Sequence, residues 1–181
     1  EGKIFGLYSN ASNYHVSMGH KMWVNTSWLD TLNLKKPNTI DEFTDMLRAF
    51  RDEDPNGNGK QDELPLVGSP SGGGNTRIDN FIINAFTFHP VQTGYFVAYD
   101  DVATMSIIQE EYREALKYIN SLYNEGLVDK DSFVRDAASM KSLGLAHDYD
   151  IIGAFPGLYY GAAGYDIDHT NERSAVWEPI S

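Results

Sequence analysis

The run Asp54-Pro-Asn-Gly-Asn-Gly-Lys-Gln-Asp-Glu63 constrains this chain more than any other stretch, because it sets oxygen-bearing side chains at alternate positions around a turn that two glycines permit. A backbone that wraps a calcium ion is built this way, since calcium is a hard cation that takes about six to eight oxygen ligands. Asp54, Asn56 and Asn58 offer side-chain oxygens, Lys60 offers its carbonyl, and Asp62 and Glu63 close the shell. Gly57 and Gly59 supply the positive-φ conformations that a tight ligand loop needs. The first half copies the opening of an EF-hand loop, but that loop ends on a glutamate at its twelfth position, whereas the acids here stand at the ninth and tenth. Leu64-Pro65-Leu66 follows, and a proline so close behind argues against a helix leaving the loop. A paired EF-hand sensor is therefore not expected, and the ion's role reads as structural. The same residue types also favour a solvated Asn-Gly turn without metal, and that alternative stays open.

Helices and strands alternate around the loop. Thr39-Ile-Asp-Glu42 forms a capping box, and Phe43, Met46, Leu47 and Phe50 recur at helical spacing, so one amphipathic helix delivers the chain to Asp54. Further helices are predicted over Gln109–Glu125, with Gly126 placed for a left-handed cap, and over Ala137–Leu145. The first of these carries Tyr112, Ala115, Leu116, Ile119, Leu122 and Tyr123 on one side, and Ile78, Phe81, Ile82, Ala85 and Phe86 make another helical stripe. Strands are expected over 1–8, 21–25, 150–155 and 175–180, with a hairpin of 95–99 and 104–108 turning at Asp100-Asp101. Trp28 begins a helical Trp-Leu-Asp-Thr-Leu and reads as core, while 69–75 is a surface loop able to line a cleft. The pattern predicts an α/β fold, helices packed around a mixed sheet.

With 26 acids against 14 Lys and Arg and a net charge of −12, phosphate backbones are disfavoured, so no nucleic-acid partner is expected. The absence of cysteine removes disulfides and thiolate metal sites. No apolar run approaches the length of a membrane span. Residues 1–181 are expected to form a single domain, and both ends read as strands cut from something larger.

Four stretches together resemble the extracellular solute-binding proteins, family 1, that feed ABC importers, in particular the oligosaccharide-binding lipoproteins of bacteria. They are residues 22–34, Pro37-Asn-Thr-Ile-Asp-Glu-Phe43, the Asp54 loop with Glu63-Leu-Pro65, and residues 112–129. The resemblance, which covers roughly residues 1 to 155 with gaps, implies a type II periplasmic-binding-protein-like fold. This chain would be its membrane-distal, C-terminal lobe, truncated at the hinge and lacking the first lobe. It further implies a structural calcium, an extracellular carbohydrate or other small solute as ligand, and an ABC permease as partner. The intact protein would be a cell-surface lipoprotein or periplasmic.

Sugars are held by aromatic faces with polar groups at their edges, and open α/β sheets place ligands beyond strand carboxyl ends. Two such places stand out: Tyr8, Asn10 and Tyr14 after the opening strand, with Trp23 on the next, and the adjacent Tyr159 and Tyr160 after the 150–155 strand. His15 and His20 read as exposed loop histidines, and Glu178 beside Trp177 as a further polar neighbour. Two rival functions remain. A calcium-dependent glycoside hydrolase needs a facing carboxylate pair, which 26 acids cannot single out. A calcium-stabilised surface carbohydrate-binding or adhesion module predicts an all-β pattern, against the helices found here.

Overall fold

The computed structural model describes residues 19–71, 75–91, 94–99, 102–165 and 172–180. The expected strand over 1–8 and the candidates Tyr8, Asn10 and Tyr14 therefore lie outside the described residues, as does His15.

The chain enters the described structure on β1 (Lys21–Asn25), and Asn25 at once caps α1 (Thr26–Thr31) by accepting the amides of Ser27 and Trp28. Trp28 packs in the core as its helical context predicts. The capping box starts α2 (Ile40–Asp52), where Thr39 Oγ1 accepts the Glu42 amide. The Glu42 carboxylate reaches back one residue further than the motif requires and takes the Asn38 amide at 2.7 Å. After the Asp54 loop comes β2 (Leu64–Leu66), a strand rather than a helix, as Pro65 demands.

The stripe from Ile78 is α helical only over α3 (Ile78–Ile82) and tightens into a 3₁₀ turn at Ile83–Ala85. The hairpin differs from expectation as well. Its strands are β3 (Phe96–Tyr99) and β4 (Val102–Met105), and the predicted continuation to 108 is a 3₁₀ turn at Ser106–Ile108. The Ser106 amide bonds the Tyr95 carbonyl at 2.9 Å and its side chain turns inward, which ends the strand there. The long helix is α4 (Glu110–Asn124), followed by Gly126 at φ 77°. Its buried stripe is narrower than the sequence implies, because Leu116 and Tyr123 are exposed. The chain closes through α5 (Ala137–Leu145), β5 (Ile152–Gly157) and β6 (Trp177–Ile180).

The main sheet runs β2-β5-β1-β6; β2 and β5 are parallel, and β1 is antiparallel to both of its neighbours. The strand predicted over 150–155 is shifted two residues along, because the Asp150 side chain is engaged by Arg173 and pairing with β2 begins at Leu64↔Ile152. Every residue of β5 is buried, as befits a central strand covered on both faces. One cluster joins Met22, Val24, Leu66 and Ala154 to Trp28, Leu47, Phe50 and Leu122 from the helices. A second gathers Trp23, Phe155, Tyr165 and Trp177 against Met140. The fold class read from the sequence is the one observed: α/β, with helices around a mixed sheet.

Candidate functional site

The register sorts the functional residues between two ends of the sheet. Leu64 lies opposite Ile152 and Asn25 opposite Trp177 at one end, while Lys21 lies opposite Gly157 and Met22 opposite Ile180 at the other. The Asp54–Glu63 loop enters β2 at the first end. The carboxyl ends of β2 and β5 define the second, where α/β sheets place ligands.

At the first end the loop is knotted by its own side chains. Asp54 accepts the amides of Asn58 and Gly59, Asn56 Oδ1 accepts the Asn58 amide, and Asn58 Oδ1 accepts the Lys60 amide at 2.7 Å. Gly57 and Gly59 stand at φ 71° and 75°, the conformations the turn needs. The side-chain amides of Asn56 and Asn58 both donate to Asp62 Oδ1, and the Tyr149 hydroxyl donates to Asp62 Oδ2 at 3.2 Å. The donors hold the Asp62 carboxyl below the usual carboxylate range, Asn58 foremost.

Glu63 is the opposite case. It is 9 % exposed, and neither carboxylate oxygen has a hydrogen-bond donor. Burial pushes its pKa up, and the charges of Asp62 and Asp54 add to the effect. A buried carboxylate without a partner is costly, and a cation would relieve that cost. Among the described residues no three His, Cys, Asp or Glu side chains converge on one point. The carboxylates of Asp54, Asp62 and Glu63 thus do not converge as they stand, but with the amide oxygens of Asn56 and Asn58 and the Lys60 carbonyl they make an all-oxygen donor set whose chemistry suits a hard cation such as calcium.

At the second end, three separate segments meet. Lys21 Nζ donates to the Leu158 carbonyl at 3.3 Å, and Asn75 Nδ2 donates to the Gly19 carbonyl at 2.8 Å. Tyr159 and Tyr160 follow β5 and are both half-buried. Trp23 is not a surface platform: it is 9 % exposed, its indole donates to the Gly157 carbonyl, and its ring meets Tyr160 edge-on at 5.4 Å. His20 is not an exposed loop histidine, because its Nδ1 is buried without a partner and burial lowers its pKa. Glu178 pairs with Lys36 on the surface.

Sequence reasoning missed Tyr149 and the buried His89 and gave Asn75 only as part of a cleft-lining loop; each acts through partners in other segments. His89 shares a 2.9 Å hydrogen bond with Ser106 and stacks on Tyr95 at 5.0 Å, and burial lowers its pKa. Only the glycine-rich approach to Asn75 gave any local signal.

No protein-family profile matches the chain. The fructooligosaccharide ABC transporter substrate-binding protein FusA of Streptococcus pneumoniae serotype 4 is 32 % identical over 160 residues, 88 % of this chain and 28 % of FusA. The lipoprotein LipO of Bacillus subtilis is 31 % identical over 146 residues, 76 % of this chain and 26 % of LipO. Among solved structures, an EF-hand mutant of FusA in complex with fructo-nystose superposes with a TM-score of 0.76 at 27 % identity, covering 91 % of this chain and 31 % of that one. The chain belongs to the ABC-transporter substrate-binding proteins. A solute-binding protein of Bifidobacterium longum infantis, described as HMO binding and ABC-transporter associated, gives a TM-score of 0.75 at 27 % identity over 90 % of this chain and 33 % of that one. The chain thus spans less than a third of the length of FusA and LipO. These substrate-binding relatives are not enzymes, which sets the glycoside-hydrolase reading aside.

Proposed function

We propose that the polypeptide represented by this chain captures an extracellular oligosaccharide without covalent change and hands it to an ABC permease. The observation that carries this reading is the convergence of three segments beyond the carboxyl end of β5, where Lys21 bonds the Leu158 carbonyl next to half-buried Tyr159 and Tyr160 and Asn75 bonds the Gly19 carbonyl beside His20. Aromatic faces beside hydrogen-bonding groups suit a sugar ring. FusA, named for fructooligosaccharide and solved with fructo-nystose, supports a carbohydrate as the ligand class. The chain is the membrane-distal lobe of a two-lobed protein, residues 1–181 as one domain, and the first lobe closes the other side of the cleft. Tyr8, Asn10 and Tyr14, which lie outside the described residues, are proposed as further ligand contacts.

Calcium in the Asp54–Glu63 loop stabilises this lobe, held by Asp54, Asn56, Asn58, Lys60, Asp62 and Glu63. The unpartnered Glu63 carboxylate supports this, and the EF-hand named for FusA adds to it. LipO's name supports a lipoprotein on the cell surface or in the periplasm. No helix among the described residues is long and apolar enough to cross a membrane.

Titration calorimetry of the two-lobed polypeptide with kestose, nystose and other oligosaccharides, followed by analysis of the recovered sugar, tests the proposal. Saturable binding with the sugar returned intact is expected. Hydrolysis products, or no binding across the panel, would contradict it.

A further inference from the structure

The Asp54 loop does not end at its own residues, because its Asp62 is tied to a network that the loop sequence does not contain. Tyr149, 87 residues on, donates its hydroxyl to Asp62 Oδ2 at 3.2 Å, and its ring is stacked on His147 at 5.0 Å with an interplanar angle of 14°. The backbone carbonyl of the same Tyr149 accepts Arg173 Nη2 at 3.2 Å. Arg173 also donates to the carbonyls of Gly144 and His147 and, through Nε, to Asp150 Oδ1 at 2.8 Å. The other Asp150 oxygen accepts Asn25 Nδ2, and Asn25 Oδ1 caps α1. Alongside, the Leu64 amide bonds the Ile151 carbonyl at 2.7 Å, so loop exit and β5 entry move as one.

We infer that Tyr149 is a positioning residue for the calcium loop and that the Asp150–Arg173 pair carries the loop's state to the start of α1 and the approach to β6. The inference rests on the calcium reading proposed above. Asp62 is the ligand most exposed to alternatives: without a cation its Oδ1 is held by the amides of Asn56 and Asn58, while Tyr149 fixes its second oxygen from outside the loop. A group that hydrogen-bonds a ligating carboxylate sets its orientation and tunes affinity although it never touches the ion. Because the same residue's carbonyl is among the acceptors around Arg173, anything that steadies the Tyr149 ring steadies the guanidinium, and with it both oxygens of Asp150. Residues 172–174 lead directly into β6, which pairs with β1 from Asn25 to Met22. The network thus reaches the strand that runs towards the ligand end.

Tyr149→Phe keeps the ring and its stacking but removes the hydroxyl, so the variant should fold as the parent does. Calcium affinity by titration calorimetry is expected to fall about tenfold, the low end of such outer-shell effects, with the metal-free unfolding midpoint unchanged. Hydrogen exchange is expected to show calcium-dependent protection at residues 25–28 and 172–177 in the parent and to lose most of it in the variant. A variant that binds calcium as tightly as the parent, or one whose metal-free midpoint falls while affinity holds, would make Tyr149 a plain packing residue and overturn the inference alone. A parent chain that takes up no calcium would overturn both the inference and the loop reading.

Discussion

The two ends of the sheet are built on different principles. At the loop end, groups two to six residues apart in sequence bind one another, and one buried carboxylate is left without a partner. At the ligand end, each contact joins segments far apart: Lys21 to Leu158, Trp23 to Gly157, Asn75 to Gly19. The loop is thus organised mostly by local bonds, with Tyr149 added from a distant segment, whereas the ligand end exists only once the whole sheet has formed. Under the proposed function, stability and recognition are separated along β5, with the Asp54–Glu63 loop at its entry and aromatic rings at its exit.

The severest way to break the comparison is to remove the core on which both ends depend. Phe50 is fully buried and meets Trp28 edge-on at 5.2 Å. Phe50→Ala should cost about 3–5 kcal/mol, and chemical denaturation should show both ends lost in one transition. A variant in which the ligand end melts first would show that the two ends are not one cooperative unit.

Glu63→Gln separates them. Replacing a buried, unpartnered carboxylate by a neutral amide should raise the unfolding midpoint of the chelated protein and abolish its rise with calcium. In the parent that rise should approach ~2.7 kcal/mol when calcium is a hundredfold above its dissociation constant. Scanning calorimetry with and without chelator checks both signs.

Tyr160→Ala should do the reverse. Losing the ring that rests on Trp23 removes a contact of about 1 kcal/mol, so oligosaccharide affinity should fall several-fold in the two-lobed polypeptide while the calcium response of the midpoint stays unchanged.

The smallest effect is that of pH on the buried histidines. His20 and His89 are held below the usual histidine range by burial, so the unfolded chain takes up their protons first as pH falls. Their contribution is present above the ordinary histidine range and is lost on acidification through it. His89→Gln should flatten that slope, as followed by unfolding midpoints between about pH 7.5 and 5.5.

The same contrast explains what could be read in advance. The loop, the Thr39 cap and the α2 stripe are local patterns, and each appears where the residues indicate. Ser106 ends its strand through a bond to Tyr95 and a contact with His89, neither of which is visible in the run 104–108. His20 is less exposed than its loop context predicts, and the orientation of Trp23 is set by the Gly157 carbonyl on β5, which no local spacing reports. Tyr149 gave no signal at all, since its partner lies in a different element.

The most direct test of the two-ended account is an amide NMR titration of the isotope-labelled polypeptide, first with calcium and then with a fructooligosaccharide. Calcium is predicted to move residues 54–64 and 147–151, and the sugar residues 19–23, 69–76 and 158–160. A sugar response centred on the Asp54 loop, or a loop that calcium leaves unmoved, would contradict it.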